Sequence, residues 1–126
     1  MILLIYSTEM LKTKNALDIA IESRIKFENG QVDDDLLRRL YLGYNPLENI
    51  DTFILRSKEL FPRLNCGLAT LYLREMLGDG KVVRGKYNGV NHTFLLIDGD
   101  TVVDITPDQY GGPKVYVGPL KKPWGL

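Results

Sequence analysis

Near Gly78 the hydrophobic pattern of this chain changes its period, and that change limits the folds open to it. Before it, apolar residues recur at spacings of three and four; after it, they fall in short β-branched runs with period-two character. Helices first and strands afterwards is the order of an α+β domain, in which consecutive strands pair antiparallel. The 126 residues suit one domain with one core. We read 1–118 as that domain and 119–126, with two prolines and no pattern, as an extended tail.

The run Met1 to Tyr6 reads as a buried strand of the main sheet. It is far shorter than the roughly 20 apolar residues of a membrane span, and it lacks the basic leader and small-residue cleavage site of a secretory signal. Ala16, Leu17, Ala20, Ile21 and Ile25 mark a first helix. A second begins in Asp33-Asp34-Asp35, where three acids complement the helix dipole. Leu36, Leu37, Leu40 and Tyr41 form its inner face, and Gly43 with Tyr44-Asn45-Pro46 stops it. Ile50, Phe53, Ile54, Leu60 and Phe61 mark a third, ended by Pro62. The fourth runs from Cys66 to Leu77 behind Asn65, a good N-cap residue. Its apolar residues cover much of its circumference, so it is the central helix. Strands follow at Val82-Val83, Thr93 to Ile97, Thr101 to Ile105 and Lys114 to Val117.

Sixteen basic and sixteen acidic residues leave a formal net charge of zero, with no basic stripe for nucleic acid. A single cysteine excludes an internal disulfide, which suits a reducing cytoplasm. One cysteine and one histidine do not build a structural zinc site. No phosphate-cradling glycine loop and no dinucleotide fingerprint is present, so no cofactor is expected.

The lone cysteine and histidine nevertheless stand where a thiol enzyme needs them. Cys66 falls in the first turn of the fourth helix, where unpaired backbone amides lower a thiol's pKa. Gly67 beside it leaves room for a substrate carbonyl. The Cys66 backbone N–H is a natural oxyanion donor, and the Asn65 side chain is a second candidate. His92 opens one strand and Asp104 lies in the next, around the hairpin tract Leu96-Ile97-Asp98-Gly99-Asp100. With a three-residue turn ending in a glycine bulge, His92 and Asp104 stand directly opposite, Cβ atoms about 4.5–5.5 Å apart. A thiol needs a base, and the imidazole needs a group that fixes its tautomer; the chain supplies Cys66, His92 and Asp104 in that order.

Other readings fit the same residues. Free cysteines are among the most buried side chains, and a lone strand histidine is often a satisfied core residue. Asp104 is harder to absorb, because an aspartate between Val103 and Ile105 needs a partner or water. Gln109 either lines the site or caps the turn after the strand. Trp124 either clamps the tail to the body or anchors a partner.

The segment His92-Thr93-Phe94, followed by Asp104-Ile105-Thr106-Pro107-Asp108-Gln109-Tyr110-Gly111, resembles small bacterial and phage members of the papain-like and transglutaminase-like cysteine hydrolases. The resemblance covers roughly Asn65 to Val117. It implies Cys66 as nucleophile, His92 as general base and acid, and Asp104 as orienting carboxylate. It also implies a Cys-bearing helix packed on an antiparallel sheet, and a peptide or protein amide as substrate. The glutamine upstream of the papain-type cysteine and the tryptophan after it are both absent here. A non-catalytic binding module on the same fold, and a structural protein with Cys66 and His92 in its core, are the rival expectations.

Overall fold

The computed structural model describes residues 8–63 and 65–126; the strand expected at Met1 to Tyr6 lies outside them. Among the described residues, helices α1 (Thr8–Glu28), α2 (Asp34–Tyr44), α3 (Ile50–Leu60) and α4 (Cys66–Leu77) precede the strands. The strands are β1 (Lys81–Tyr87), β2 (Val90–Ile97), β3 (Thr101–Asp104), β4 (Tyr116–Pro119) and β5 (Trp124–Gly125), with a 3-10 turn at Pro107–Tyr110. They form one antiparallel sheet in the order β4-β3-β2-β1-β5. The chain is therefore α+β. Among the described residues no helix is long and apolar enough to cross a membrane.

Local chemistry accounts for most boundaries. The Asp33 carboxylate accepts from the Leu36 backbone N–H at 3.3 Å and caps α2. Gly43 does not stop that helix, which runs on to Tyr44. On α1 the inward face is Ala16, Ala20, Ser23, Arg24 and Phe27, whereas Leu17, Ile21 and Ile25 are 40–48% exposed. Small alanines let α1 approach the core closely, and the large aliphatics turn outward. Central α4 buries every residue from Leu68 to Leu73, and Met76 is exposed.

Two apolar cores lie on opposite faces of the sheet, as strand alternation dictates. Leu95, Ile97 and Val103 pack under the helices with Leu37, Leu68 and Leu73. Phe94, Leu96 and Val102 face the other way, with Tyr87 and Trp124. The tail is structured: Trp124 of β5 pairs with Tyr87 at one sheet edge. Its ring stacks at 3.8 Å between centroids on Tyr116 of β4, the strand at the other edge. The sheet thus curls until its two edge strands meet through these rings. A two-residue strand beside Pro123 carries no readable periodicity, which is why the sequence pattern misses it.

β1 and β5 approach closely at Gly85, which stands opposite His92. A Cβ there would press into the Gly125 carbonyl oxygen and stand 2.7 Å from the Phe94 ring. Gly85→Ala is therefore expected to destabilise the protein by about 1–3 kcal/mol through overpacking. Urea unfolding checks this, and an unchanged midpoint would mean that β5 is not held against β1.

Candidate active site

The β2–β3 pairing differs from the expected register. Leu95 pairs with Val103, Leu96 with Val102 and Ile97 with Thr101, so Asp104 falls level with Phe94 and not with His92. The loop takes positive φ at both Asp98 and Gly99, 55° and 80°, and shifts the pairing from the expected one by two residues. A shift of two preserves the face each side chain occupies, whereas a shift of one would reverse it. Asp104 consequently reaches His92 diagonally: Oδ2 lies 2.7 Å from Nε2. Both residues are almost wholly buried, at 2% and 1% exposure.

The carboxylate is fully engaged. Oδ2 also accepts from the Trp124 indole N–H at 2.8 Å, and Oδ1 accepts from the Thr106 backbone N–H at 3.0 Å and its hydroxyl at 3.4 Å. Four donors around one buried carboxylate fix its orientation. With Nε2 committed to Asp104, Nδ1 is the nitrogen left for chemistry. The amide of Gln109 lies 2.8 Å from it.

Cys66 reaches the imidazole because β3 leaves a gap. The paired residues stop at Leu95, so the backbone of Thr93 has no β3 partner and receives the start of α4 instead. The Thr70 hydroxyl is shared between the Cys66 carbonyl at 2.6 Å and the Thr93 carbonyl at 3.3 Å, joining helix to strand edge. Burial pushes the Cys66 thiol up. Hydrogen bonds from His92, the Thr93 backbone and Gln109, with the His92 charge, outweigh it and hold the thiol below its ordinary value. Burial pushes His92 down, yet its bonds to Asp104 and Cys66 raise it to about 9. The two shifts describe one interaction, in which His92 lowers the Cys66 thiol and Cys66 helps to raise His92.

The structure brings Cys66, His92, Asp104 and Gln109 together. Asn65 it does not. That side chain makes no capping bond; it is buried, and Nδ2 donates to the Ser57 carbonyl of α3 at 2.8 Å. It is thus spent on joining α3 to α4, and its Oδ1 finds no donor. Gly67 faces Tyr41, whose ring would lie 4.0 Å from an added Cβ, so glycine is not sterically required there. Trp124 is a clamp, and it holds the Asp104 carboxylate as well as the tail.

Arg24 was not anticipated. Its guanidinium forks onto both Asp108 oxygens at 2.7 Å and donates to the Ile105 carbonyl at 2.8 Å. It lies 4.6 Å over the Phe61 ring. The clamp pins the turn that presents Gln109 to His92. The available signal was Arg24 continuing the i, i+4 stripe of Ala16 and Ala20, a charge on an inward face.

No family model, curated relative or solved structure matches this chain.

Proposed function

We propose that this protein is a cysteine-dependent amide hydrolase or acyltransferase of the papain-like and transglutaminase-like type. Peptidase, deamidase and transglutaminase-like outcomes share this chemistry and differ only in the leaving and accepting groups. The observation that carries the proposal is the buried Asp104 on His92 Nε2, which leaves Nδ1, beside the Gln109 amide, as the nitrogen that faces chemistry with Cys66. A structural core cysteine has no need of an imidazole whose other nitrogen is fixed by a buried carboxylate that four donors hold.

The Cys66 thiolate attacks the amide carbonyl carbon; the C–S bond forms and the carbonyl π electrons move to oxygen. Backbone N–H groups in the first turn of α4 lack intrahelical acceptors and face the developing charge, with the Gln109 amide as a second donor. As the intermediate collapses, the C–N bond breaks and His92 Nδ1 delivers its proton to the departing nitrogen. The same nitrogen then takes a proton from water, or from an acceptor amine, as that nucleophile attacks the thioester and the thiolate leaves. A lone thiol that must stay reduced fits work in the cytoplasm.

Iodoacetamide alkylation of the folded protein tests this directly. Reaction at Cys66 should stay fast down to about pH 6, because a paired thiolate persists far below the free value of about 8.5. His92→Ala should return the profile to that of an ordinary thiol. A native profile already of that form, or labelling that needs denaturant, removes the proposal. With a slow amide substrate, intact mass should show an acyl adduct that survives EDTA and is absent from Cys66→Ala.

A further inference from the structure

The wall beside the thiol carries a charge that the acyl-transfer steps leave unused. A groove of about 340 Å³ is lined by Cys66, Arg84, Gly85, Asn91, His92 and Thr93. That volume is at the small end of ligand pockets, which span about 300–1,000 Å³. Among the described residues no carboxylate lines it. Arg84 lies on β1 opposite Thr93, the residue whose backbone bonds the thiol, so its side chain starts one strand away from the nucleophile.

Arg84 is held in place without being neutralised. Its Nε donates to the Tyr44 hydroxyl at 2.7 Å, and its guanidinium carbon lies 5.0 Å from the Tyr44 ring centroid. Tyr44 packs edge-on against Tyr41, the residue facing Gly67. Arg24 and Arg38 each bind two acids, whereas among the described residues no carboxylate pairs with Arg84. Tethering at Nε leaves the two terminal nitrogens as an open fork, the geometry that receives a carboxylate through two parallel bonds.

We infer that the substrate carries a carboxylate close to the scissile amide, bound by the Arg84 fork at the edge of this groove. The inference rests on the acyl-transfer reading of the site and adds its substrate class. The carboxylate is either the terminus of a peptide or an acidic side chain; both offer the fork two coplanar oxygens. Tyr44 sets the fork's direction, so lysine, a point charge without that geometry, replaces Arg84 only in part.

Alkylation by a charged and a neutral reagent of similar shape tests it without a known substrate. The rate with iodoacetate, divided by that with iodoacetamide, should fall about tenfold in Arg84→Gln, with the iodoacetamide rate nearly unchanged. Arg84→Lys should fall between. Two competitors then separate the sources: acetyl-alanyl-alanine, with a terminal carboxylate, and N-acetylglutamate α-amide, with only a side-chain one. At least one should slow iodoacetamide labelling of the native protein more than its uncharged amide does, and lose that advantage in Arg84→Gln. Rapid iodoacetamide labelling with an unchanged reagent ratio, or equal protection by acid and amide, overturns the carboxylate assignment and leaves the hydrolase reading standing. A Cys66 inert to both reagents overturns both.

Discussion

Asp104→Asn is expected to leave the chain folded and to lower turnover by about 10⁴-fold, the size of effect seen when a triad histidine is left in the wrong tautomer. The four donors around Asp104 explain why an isosteric amide does not substitute. If the asparagine NH₂ faces His92, it meets the Trp124 N–H and forces the ring to carry its proton on Nδ1, where the thiol needs a base. If the NH₂ faces the other way, it meets the Thr106 N–H, and His92 keeps its tautomer but loses the negative charge. Since Asp104, together with Cys66, raises His92 to about 9, loss of the Asp104 charge should also move the alkaline limb of the rate profile to lower pH. The same sign governs stability. A histidine raised from 6.5 to about 9 on folding contributes fully below pH 6.5, and the contribution fades as pH rises through about 9. A pH–rate profile of the variant checks the tautomer argument, and an alkaline limb still near the native position would mean that another group orients the ring. Asp108 does not fill that role here, because Arg24 holds both its oxygens.

Trp124→Ala should be the most damaging single change to stability, at about 3–5 kcal/mol for emptying a buried aromatic site. That is a large share of the roughly 5–15 kcal/mol that holds a domain folded. The ring is 5% exposed, stacks on Tyr116, meets Tyr87 edge-on at 5.1 Å and donates to Asp104. Trp124→Phe separates these roles. It keeps an aromatic ring against Tyr116 and removes the N–H, so it should lose only the charge-assisted bond, about 1.5–3 kcal/mol. Urea unfolding measures both. An alanine variant within about 0.5 kcal/mol of the native protein, the range of ordinary surface changes, would show that the tail does not close the sheet.

What the sequence revealed follows the range of the forces involved. The end of α4 at Leu77, before Gly78, and the start of α2 in Asp33-Asp34-Asp35 were readable because adjacent residues set them. The start of α4 at Cys66 was read from an Asn65 cap that the side chain does not make. The partnership of His92 with Asp104 was readable for a narrower reason: strand parity survives a register shift of two. The shift itself depends on the φ values of Asp98 and Gly99, which composition does not determine. Trp124 on Asp104 and Arg24 on Asp108 were not readable, because each joins segments far apart in the chain through one side chain. Asn65 shows the opposite failure. Local preference marks it as a cap, and a tertiary bond to Ser57 overrides that preference.

The site also sits astride the sheet. Cys66 arrives with the helical layer, while His92 and Asp104 are held among the aromatic rings on the far side, and the two meet where β3 stops short. Sub-global openings that free either layer need not disturb the other, yet either one separates the sulfur from its base. On the proposed reading, the thiolate therefore exists only in molecules where both layers are closed at once. Its reactivity under native conditions is a gauge of coincident order, and it reads the less stable of the two layers, whichever that is.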